Sequence, residues 1–285
     1  MNQVPIKIRK QRDIGEIIST TFKFVRENFK TSSLIMLKVV GPIFVLLIAA
    51  VAFYSYTAID VSIFTQTTEN SGFFISLGLL LLTYMIYVAV MSGTIYHIVQ
   101  SYANNAGEII SSEVTSGMKQ DFGKLILLTF ISWIMVFIGL FFLVVTGIYL
   151  AVPLSLAAAV MVFERKGVFD SISTAFKLIK GEWWMTFAAM LCIGIIIYLV
   201  GLVFQIPIII YYIFKIFTSL DQMSAADPGS FFGTGYVILS VISTVIQYII
   251  YAILPIGFSL IYFNLNEIKN FTGTYESIDN LGKRD

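Results

Sequence analysis

Three side chains in this sequence are of types that could do acid–base chemistry: His97, Glu164 and Glu267. If they met in one cytoplasm-facing pocket, an imidazole and two carboxylates could exchange protons with a lipid substrate, as general acid–base catalysis requires. His97 is the only histidine and Cys192 is the only cysteine, so the sequence has too few of these ligands for a metal site of the usual kind. The sequence therefore predicts no metal and no other cofactor.

Motifs that would organise a catalytic site are missing from the sequence. It has no phosphate-binding glycine loop, no nucleophile elbow and no HExxH pair. His97, Glu164 and Glu267 each stand near the end of an apolar run, where ionisable groups are shallow rather than deep in the membrane. We therefore expect a protein that is not an enzyme, and we treat the three residues as candidates for a polar site on the cytoplasmic face.

Composition indicates which elements must position these residues. Hydrophobic residues make up 58% of the chain and charged residues 12%, and the mean hydropathy is +0.87. Soluble domains are about a quarter charged, and runs of about 20 apolar residues are typical of transmembrane helices. We predict an all-α polytopic bundle of six transmembrane helices, at residues 34–56, 73–98, 124–143, 148–163, 184–214 and 232–264.

Prolines and one short connection add detail to the predicted spans. Pro207 and Pro255 lie inside the fifth and sixth runs. Because proline removes a backbone hydrogen bond, both helices should be kinked or tilted. The third and fourth runs are so close in sequence that a tight turn must join them, and Val145-Thr146-Gly147 is the predicted place.

The basic residues predict the orientation of the bundle. All but one of the 18 lysines and arginines fall on one side of the predicted spans, and only Lys215 falls on the other. The positive-inside rule then places both termini in the cytoplasm. We expect a single membrane domain over residues 1–285, with a cytoplasmic tail and surface helix at 1–32, the six-span bundle at 33–265 and a cytoplasmic C-terminal tail at 266–285.

A short phrase recurs before two of the apolar runs. Ile18–Lys23 reads Ile-Ser-Thr-Thr-Phe-Lys, and Ile172–Lys177 reads Ile-Ser-Thr-Ala-Phe-Lys, while Glu108–Ser112 is a weaker third copy. Apolar residues at helical spacing with basic residues elsewhere around the wheel are typical of a helix that lies in the membrane interface. We predict three modules, each an interfacial amphipathic helix followed by two spans, with Gly181 ending the helix of the second copy.

These helices supply the candidate lipid-binding residues. Lysine and arginine near the membrane surface attract anionic headgroups, and tryptophan favours the same layer. The candidates are Lys23, Arg26, Lys30, Lys177, Lys180, Trp183 and Trp184. Because the basic residues lie on membrane-facing helices, we expect membrane lipids as partners and no nucleic acid, and a membrane-protein partner stays open.

One stretch carries a family resemblance. Gly147–Trp184 contains a Gly-Ile-Tyr turn, an apolar span ending in Phe-Glu, a basic Lys-Gly turn and a helix ending in Lys-Gly-Glu-Trp-Trp. It resembles the membrane domain fused to some bacterial glycerophosphoryl diester phosphodiesterases and related stand-alone six-span proteins, although Thr146 stands where those proteins often have proline. The resemblance implies a protein of the bacterial inner membrane. It does not imply the diesterase activity, which in those relatives belongs to a separate soluble barrel.

Three functions remain open at this point. The first is a non-enzymatic scaffold, accessory or lipid-interacting protein, which the basic surface helices favour. The second is a small transporter or exporter that uses the kinked fifth and sixth spans. The third is a membrane enzyme acting on lipid, which requires His97, Glu164 or Glu267 to meet in one pocket.

Overall fold

The computed structural model describes residues 5–60, 71–219 and 234–281, and the regular structure of these ranges is entirely α-helical. The chain is an all-α polytopic membrane helix bundle, as its composition predicts. The helices are α1 (Ile14–Val39), α2 (Gly41–Asp60), α3 (Ser71–Asn104), α4 (Ser111–Phe142), α5 (Val144–Glu164), α6 (Val168–Ile179), α7 (Trp183–Val203), α8 (Ile206–Ser219), α9 (Thr234–Tyr251), α10 (Leu254–Asn270) and α11 (Thr272–Leu281).

Five stretches of the described chain are long and apolar enough to cross a membrane, and the number is six if α1 and α2 together form one span. The first predicted run, 34–56, thus begins in the last turns of α1 and continues into α2. The helix is interrupted at Val40 because Pro42, in the first turn of α2, has no N–H to donate to a carbonyl group of the preceding turn. The surface helix and the start of the first span are therefore one helix, not two.

The fifth and sixth runs, which contain Pro207 and Pro255, are both interrupted, as the sequence predicts. The fifth run divides into α7 and α8 around Phe204 and Gln205, and the sixth has a break at Ala252 and Ile253 between α9 and α10. Pro207 and Pro255 each stand at the second position of the following helix, where a missing N–H costs nothing because that group has no intrahelical partner.

The turn between the third and fourth spans lies earlier than predicted. Leu143 alone separates α4 from α5, with an extended backbone (φ −156°, ψ 127°), and residues 145–147 belong to α5. Gly139 and Gly147 explain the tight hairpin. A Cβ on Gly139 would lie 3.0 Å from the Cα of Gly147, so only glycine at these positions lets the two helices approach so closely.

The chain forms two compact units. The first comprises residues 1–40, 88–195 and 252–285 and is built around α5, which contacts α4, α6 and α10. Leu156, Ala157, Ala159 and Val160 of this helix are wholly buried. Small residues at the centre let the surrounding helices pack closely, which is how membrane helices associate where no water drives them together.

The second unit comprises residues 41–87 and 196–251, in which α9 contacts α2 and α8. Tyr87 donates its hydroxyl to the carbonyl oxygen of Tyr248 at 2.9 Å, and the two rings lie 5.9 Å apart. Ser243 donates to the carbonyl oxygen of Phe204 at 3.0 Å. That bond satisfies a backbone acceptor which the break between α7 and α8 leaves without a helical donor.

Candidate functional site

The first part of α1 and the whole of α6 are structural copies of each other. From Glu16/Asp170 to Phe24/Leu178, every pair of equivalent residues has the same degree of burial. The buried face comprises Ile17, Thr21 and Phe24 in α1 and Ser171, Ala175 and Leu178 in α6. The residues between them are half-buried or exposed. The repeated sequence phrase therefore corresponds to a repeated way of packing on the bundle.

The third copy does not follow this register. Glu108, Ile109 and Ile110 precede α4, and the buried residues of its first turns are Val114 and Met118. The predicted surface helix before the third span is also not separate, because α4 continues without a break from Ser111 to Phe142. Only the first and second copies thus present an equivalent surface.

The basic candidates lie on the exposed side of these two copies. Lys23 and Lys177 occupy equivalent exposed positions, and so do Arg26 and Lys180. Lys30 is exposed as well. Lys23 approaches Glu27 at 3.9 Å, one turn along α1. Exposed pairs of this kind contribute little to stability, so the cationic groups stay available to other anions.

The end of α6 is held by a residue that the sequence analysis did not single out. Lys269 of α10 donates its Nζ to the carbonyl oxygens of Lys177 at 2.9 Å and Lys180 at 2.7 Å. A cation at a helix C-terminus satisfies the last carbonyl groups and the negative end of the helix dipole. Gly181 follows with φ +90°, so it ends the helix as predicted.

The two tryptophans at the start of α7 have different surroundings. The ring of Trp183 lies between those of Tyr149 (5.5 Å) and Phe187 (5.2 Å), and its Nε1 donates to the carbonyl oxygen of Tyr149 at 3.2 Å. Trp184 is 76% exposed. Trp183 thus joins α7 to α5, whereas Trp184 projects outward at the end of a span, where tryptophan favours the membrane interface.

His97 is buried at the polar end of the first unit. Its Nε2 lies 3.4 Å from Oδ2 of Asp121, and Asp121 also pairs with Lys124 at 3.4 Å. The ring lies against Gly117, because a Cβ there would be 2.6 Å from Nδ1 of the imidazole. The histidine lines a polar cavity of about 390 Å³ between α3, α4 and α5.

Glu164 lines a different cavity, of about 930 Å³. It accepts a hydrogen bond from the hydroxyl of Tyr262 at 3.0 Å and pairs with Lys166 at 2.7 Å. Gln100 and Arg165 line both this cavity and the one beside His97. The two cavities therefore adjoin, but the imidazole and the carboxylate belong to separate ones.

Glu267 is a capping residue. Its carboxylate accepts hydrogen bonds from the backbone N–H of Gly273 (2.7 Å) and Thr274 (3.0 Å) and from the hydroxyl of Thr274. These groups belong to the first turn of α11, whose N–H groups have no intrahelical acceptor. The carboxylate lines neither of the two cavities. His97, Glu164 and Glu267 therefore do not form one pocket.

The segment that precedes α1 packs against the bundle, although the sequence predicts it as a cytoplasmic tail. Ile6 and Ile8 are buried, and the N–H of Ile6 donates to the hydroxyl of Tyr102 at 2.8 Å. Arg9 pairs with Glu276 at 3.0 Å, and the N–H of Arg12 donates to the side chain of Asn264 at 2.8 Å. The alternation of Ile6 and Ile8 with Lys7 and Arg9 is the signal in the sequence that could have revealed an extended, packed segment.

Within residues 5–60, 71–219 and 234–281, no three His, Cys, Asp or Glu side chains are grouped so that they could hold a metal ion. Comparisons of the chain with known protein families, with curated proteins and with solved structures give no match. The resemblance of Gly147–Trp184 to the phosphodiesterase membrane domain stays a prediction.

Proposed function

We propose that this protein is a non-enzymatic protein of the bacterial inner membrane with an accessory or scaffolding role, and that its two equivalent basic helices bind anionic phospholipid headgroups. The observation that carries the proposal is the matched exposure of Lys23 with Lys177 and of Arg26 with Lys180. A basic residue near an anionic surface contributes about 1 kcal/mol to binding, so two such pairs give a clear preference for anionic lipid.

The packing of the same helices supports this role. Both bury a narrow face that includes Thr21 in α1 and Ala175 in α6, and both leave large apolar side chains outside, among them Phe29 at 67% and Phe169 at 72% exposure. An amphipathic helix held in this way can place its apolar residues in the acyl layer and its basic residues among the headgroups.

The absence of enzymatic activity is part of the proposal. Both oxygens of the Glu267 carboxylate accept hydrogen bonds, Glu164 is paired with Lys166, and the ring of His97 is confined between Asp121 and Gly117. A catalytic site needs its acid and base to act together on one substrate, and His97, Glu164 and Glu267 do not line one cavity.

The test compares lipids on the purified protein in detergent. We expect phosphatidylglycerol to raise the melting temperature more than phosphatidylcholine does, and native mass spectrometry to show more bound phosphatidylglycerol. In the variant K177Q/K180Q this preference should fall. The matched control K10Q/K119Q removes the same charge from exposed positions outside the two helices and should keep it. Equal responses of the two variants would refute the proposal.

A second candidate function is transport, and the interruptions of the fifth and sixth apolar runs favour it. Discontinuous membrane helices often form the substrate sites of transporters. Next to the first break, Gln205 donates to Gln247 at 2.9 Å, and Gln247 donates to the hydroxyl of Tyr251 at 2.6 Å. Reconstituted vesicles should then show flux of a small polar substrate that Gln247→Leu reduces. Vesicles that show no flux over a broad panel of substrates would remove this candidate.

A further inference from the structure

A groove of about 550 Å³ lies between the first turn of α1, the first turns of α7 and the side of α10. One part of its wall is apolar and includes Ile17, Met185, Ile261 and Leu265. The other part is polar and comes from the residues around the starts of α1 and α7. An apolar wall that continues along membrane-spanning helices and ends in a polar rim is suited to an amphiphile.

The rim contains a buried cation that forms no ion pair within 4 Å among the residues that the structure describes, although the Glu16 carboxylate is near enough to act on it. Arg12 is 8% exposed, and its guanidinium donates to the carbonyl oxygens of Lys7, Ile8 (2.8 Å) and Lys10 (3.1 Å). No carboxylate of the described residues forms an ion pair with it. Burial lowers the pKa of Arg12 and the Glu16 carboxylate raises it in part, and arginine starts so high that the group stays charged. The three carbonyl acceptors and Glu16 offset part of the cost of burying this charge, and a further anion would offset more of it.

The same rim contains three carboxylates, of which two have partners. Asp13 accepts from the N–H of Glu16 at 2.7 Å, and Glu16 pairs with Lys10 at 3.3 Å. Glu182, just before α7, uses its backbone N–H and carbonyl in the local turn and helix start. Its half-buried side chain has neither a hydrogen-bond donor nor a cation as partner among the residues that the structure describes.

A ligand that neutralises both groups must carry both charges. A phosphate would supply the anion for Arg12, and the side-chain amide of Asn264, whose oxygen already accepts from Arg12, has an N–H₂ group to donate. An ammonium would supply the cation for Glu182. Among the described residues that line the groove, none is aromatic. A quaternary ammonium favours aromatic surroundings, whereas a primary ammonium can donate hydrogen bonds to a carboxylate.

We propose that this groove binds one phospholipid with a primary ammonium in its headgroup, a phosphatidylethanolamine. Its ammonium lies at Glu182, its phosphate lies towards Arg12 and Asn264, and its acyl chains follow the apolar sides of α7 and α10. This site is distinct from the basic outer faces of α1 and α6, and it selects a zwitterionic lipid where those faces select an anionic one.

The experiment measures lipid binding to the full-length protein in detergent by native mass spectrometry and by thermal unfolding. Phosphatidylethanolamine should bind more tightly than phosphatidylcholine, and its N-methyl and N,N-dimethyl derivatives should bind progressively less well as donors are lost. The variant E182Q should bind phosphatidylethanolamine about tenfold more weakly, because the glutamine oxygen still accepts a hydrogen bond from the ammonium but no longer carries the negative charge that strengthens it. Phosphatidylcholine should respond little to the variant.

The matched control is E108Q, which makes the same chemical change at an exposed glutamate outside the groove and should leave binding unchanged. Equal affinity for phosphatidylethanolamine and phosphatidylcholine in the unaltered protein would overturn the proposal, as would an E182Q variant that binds as the parent does. The two lipid proposals fail separately. E182Q should keep the preference for phosphatidylglycerol, and K177Q/K180Q should keep the preference for phosphatidylethanolamine.

Discussion

Thr21 and Ala175 occupy equivalent positions of α1 and α6, and the side chain of each is completely buried. The Thr21 hydroxyl donates to the carbonyl oxygen of Ile17 at 2.8 Å, so its polar group is satisfied within its own helix. A small residue is therefore required at this position in both copies, because the helix contacts the bundle there.

The first prediction enlarges that position. Ala175→Leu should destabilise the protein by about 1–3 kcal/mol, since extra methyl groups in a filled site force neighbouring side chains and backbone to move. Thermal unfolding in detergent measures the effect as a lower melting temperature. Ser173→Leu, at an exposed position of the same helix, is the control and should change the melting temperature little. Equal effects of the two changes would mean that α6 does not pack as described.

The second prediction concerns the end of α6. Lys269→Met removes the ammonium that bonds the carbonyl groups of Lys177 and Lys180, and it should weaken the last turn of the helix by about 1 kcal/mol. Hydrogen–deuterium exchange should become faster in residues 175–182 and stay the same in α5. Lys119→Met, at an exposed lysine of α4, should leave exchange in α6 unaltered.

The third prediction tests the hairpin between α4 and α5. A Cβ on Gly147 would lie 2.7 Å from the backbone nitrogen of Leu140, so Gly147→Ala must separate the two helices. We expect a loss of about 1–3 kcal/mol, seen as a lower melting temperature. Gly78→Ala in α3 has open space around it and should be neutral or stabilise by up to about 1 kcal/mol, as alanine does in a helix. A Gly147→Ala variant as stable as the parent would contradict the close approach.

The fourth prediction uses the single histidine as a probe. His97 is 7% exposed, so diethyl pyrocarbonate should modify it slowly in the unaltered protein. Gly117→Ala places a methyl group 2.6 Å from its ring and should displace the imidazole, which raises the rate of modification. Gly123→Ala on the same helix meets nothing within 4 Å and serves as the control. Mass spectrometry of the peptide that contains His97 gives the rate directly.

Composition and periodicity predicted the bundle well. Apolar length located the spans because a membrane core requires about 20 apolar residues per helix, and Pro207 and Pro255 marked two breaks because their effect on the backbone is local. The turn at Leu143 escaped prediction. Its position depends on how Gly139 and Gly147 bring two helices together, which is a contact between distant atoms and not a property of the turn residues.

For the candidate sites, too, local features could be predicted and contacts between distant residues could not. The repeated phrase identified α1 and α6 because the amphipathic pattern of a helix depends only on residues close in sequence. Gly117 and Asp121 lie four residues apart and so share one face of α4, but the sequence does not show that this face meets His97. The roles of Glu267 and Lys269 were equally hidden, because each depends on which helix end the fold brings beside it.

The unbroken course of α4 carries it past the membrane core. A straight helix of its 32 residues is about 48 Å long, which exceeds the roughly 30 Å thickness of a bilayer's hydrocarbon core. The excess of about 18 Å corresponds to roughly 12 residues, enough for the polar first turns with Glu113, Lys119 and Asp121 to stand clear of the acyl chains.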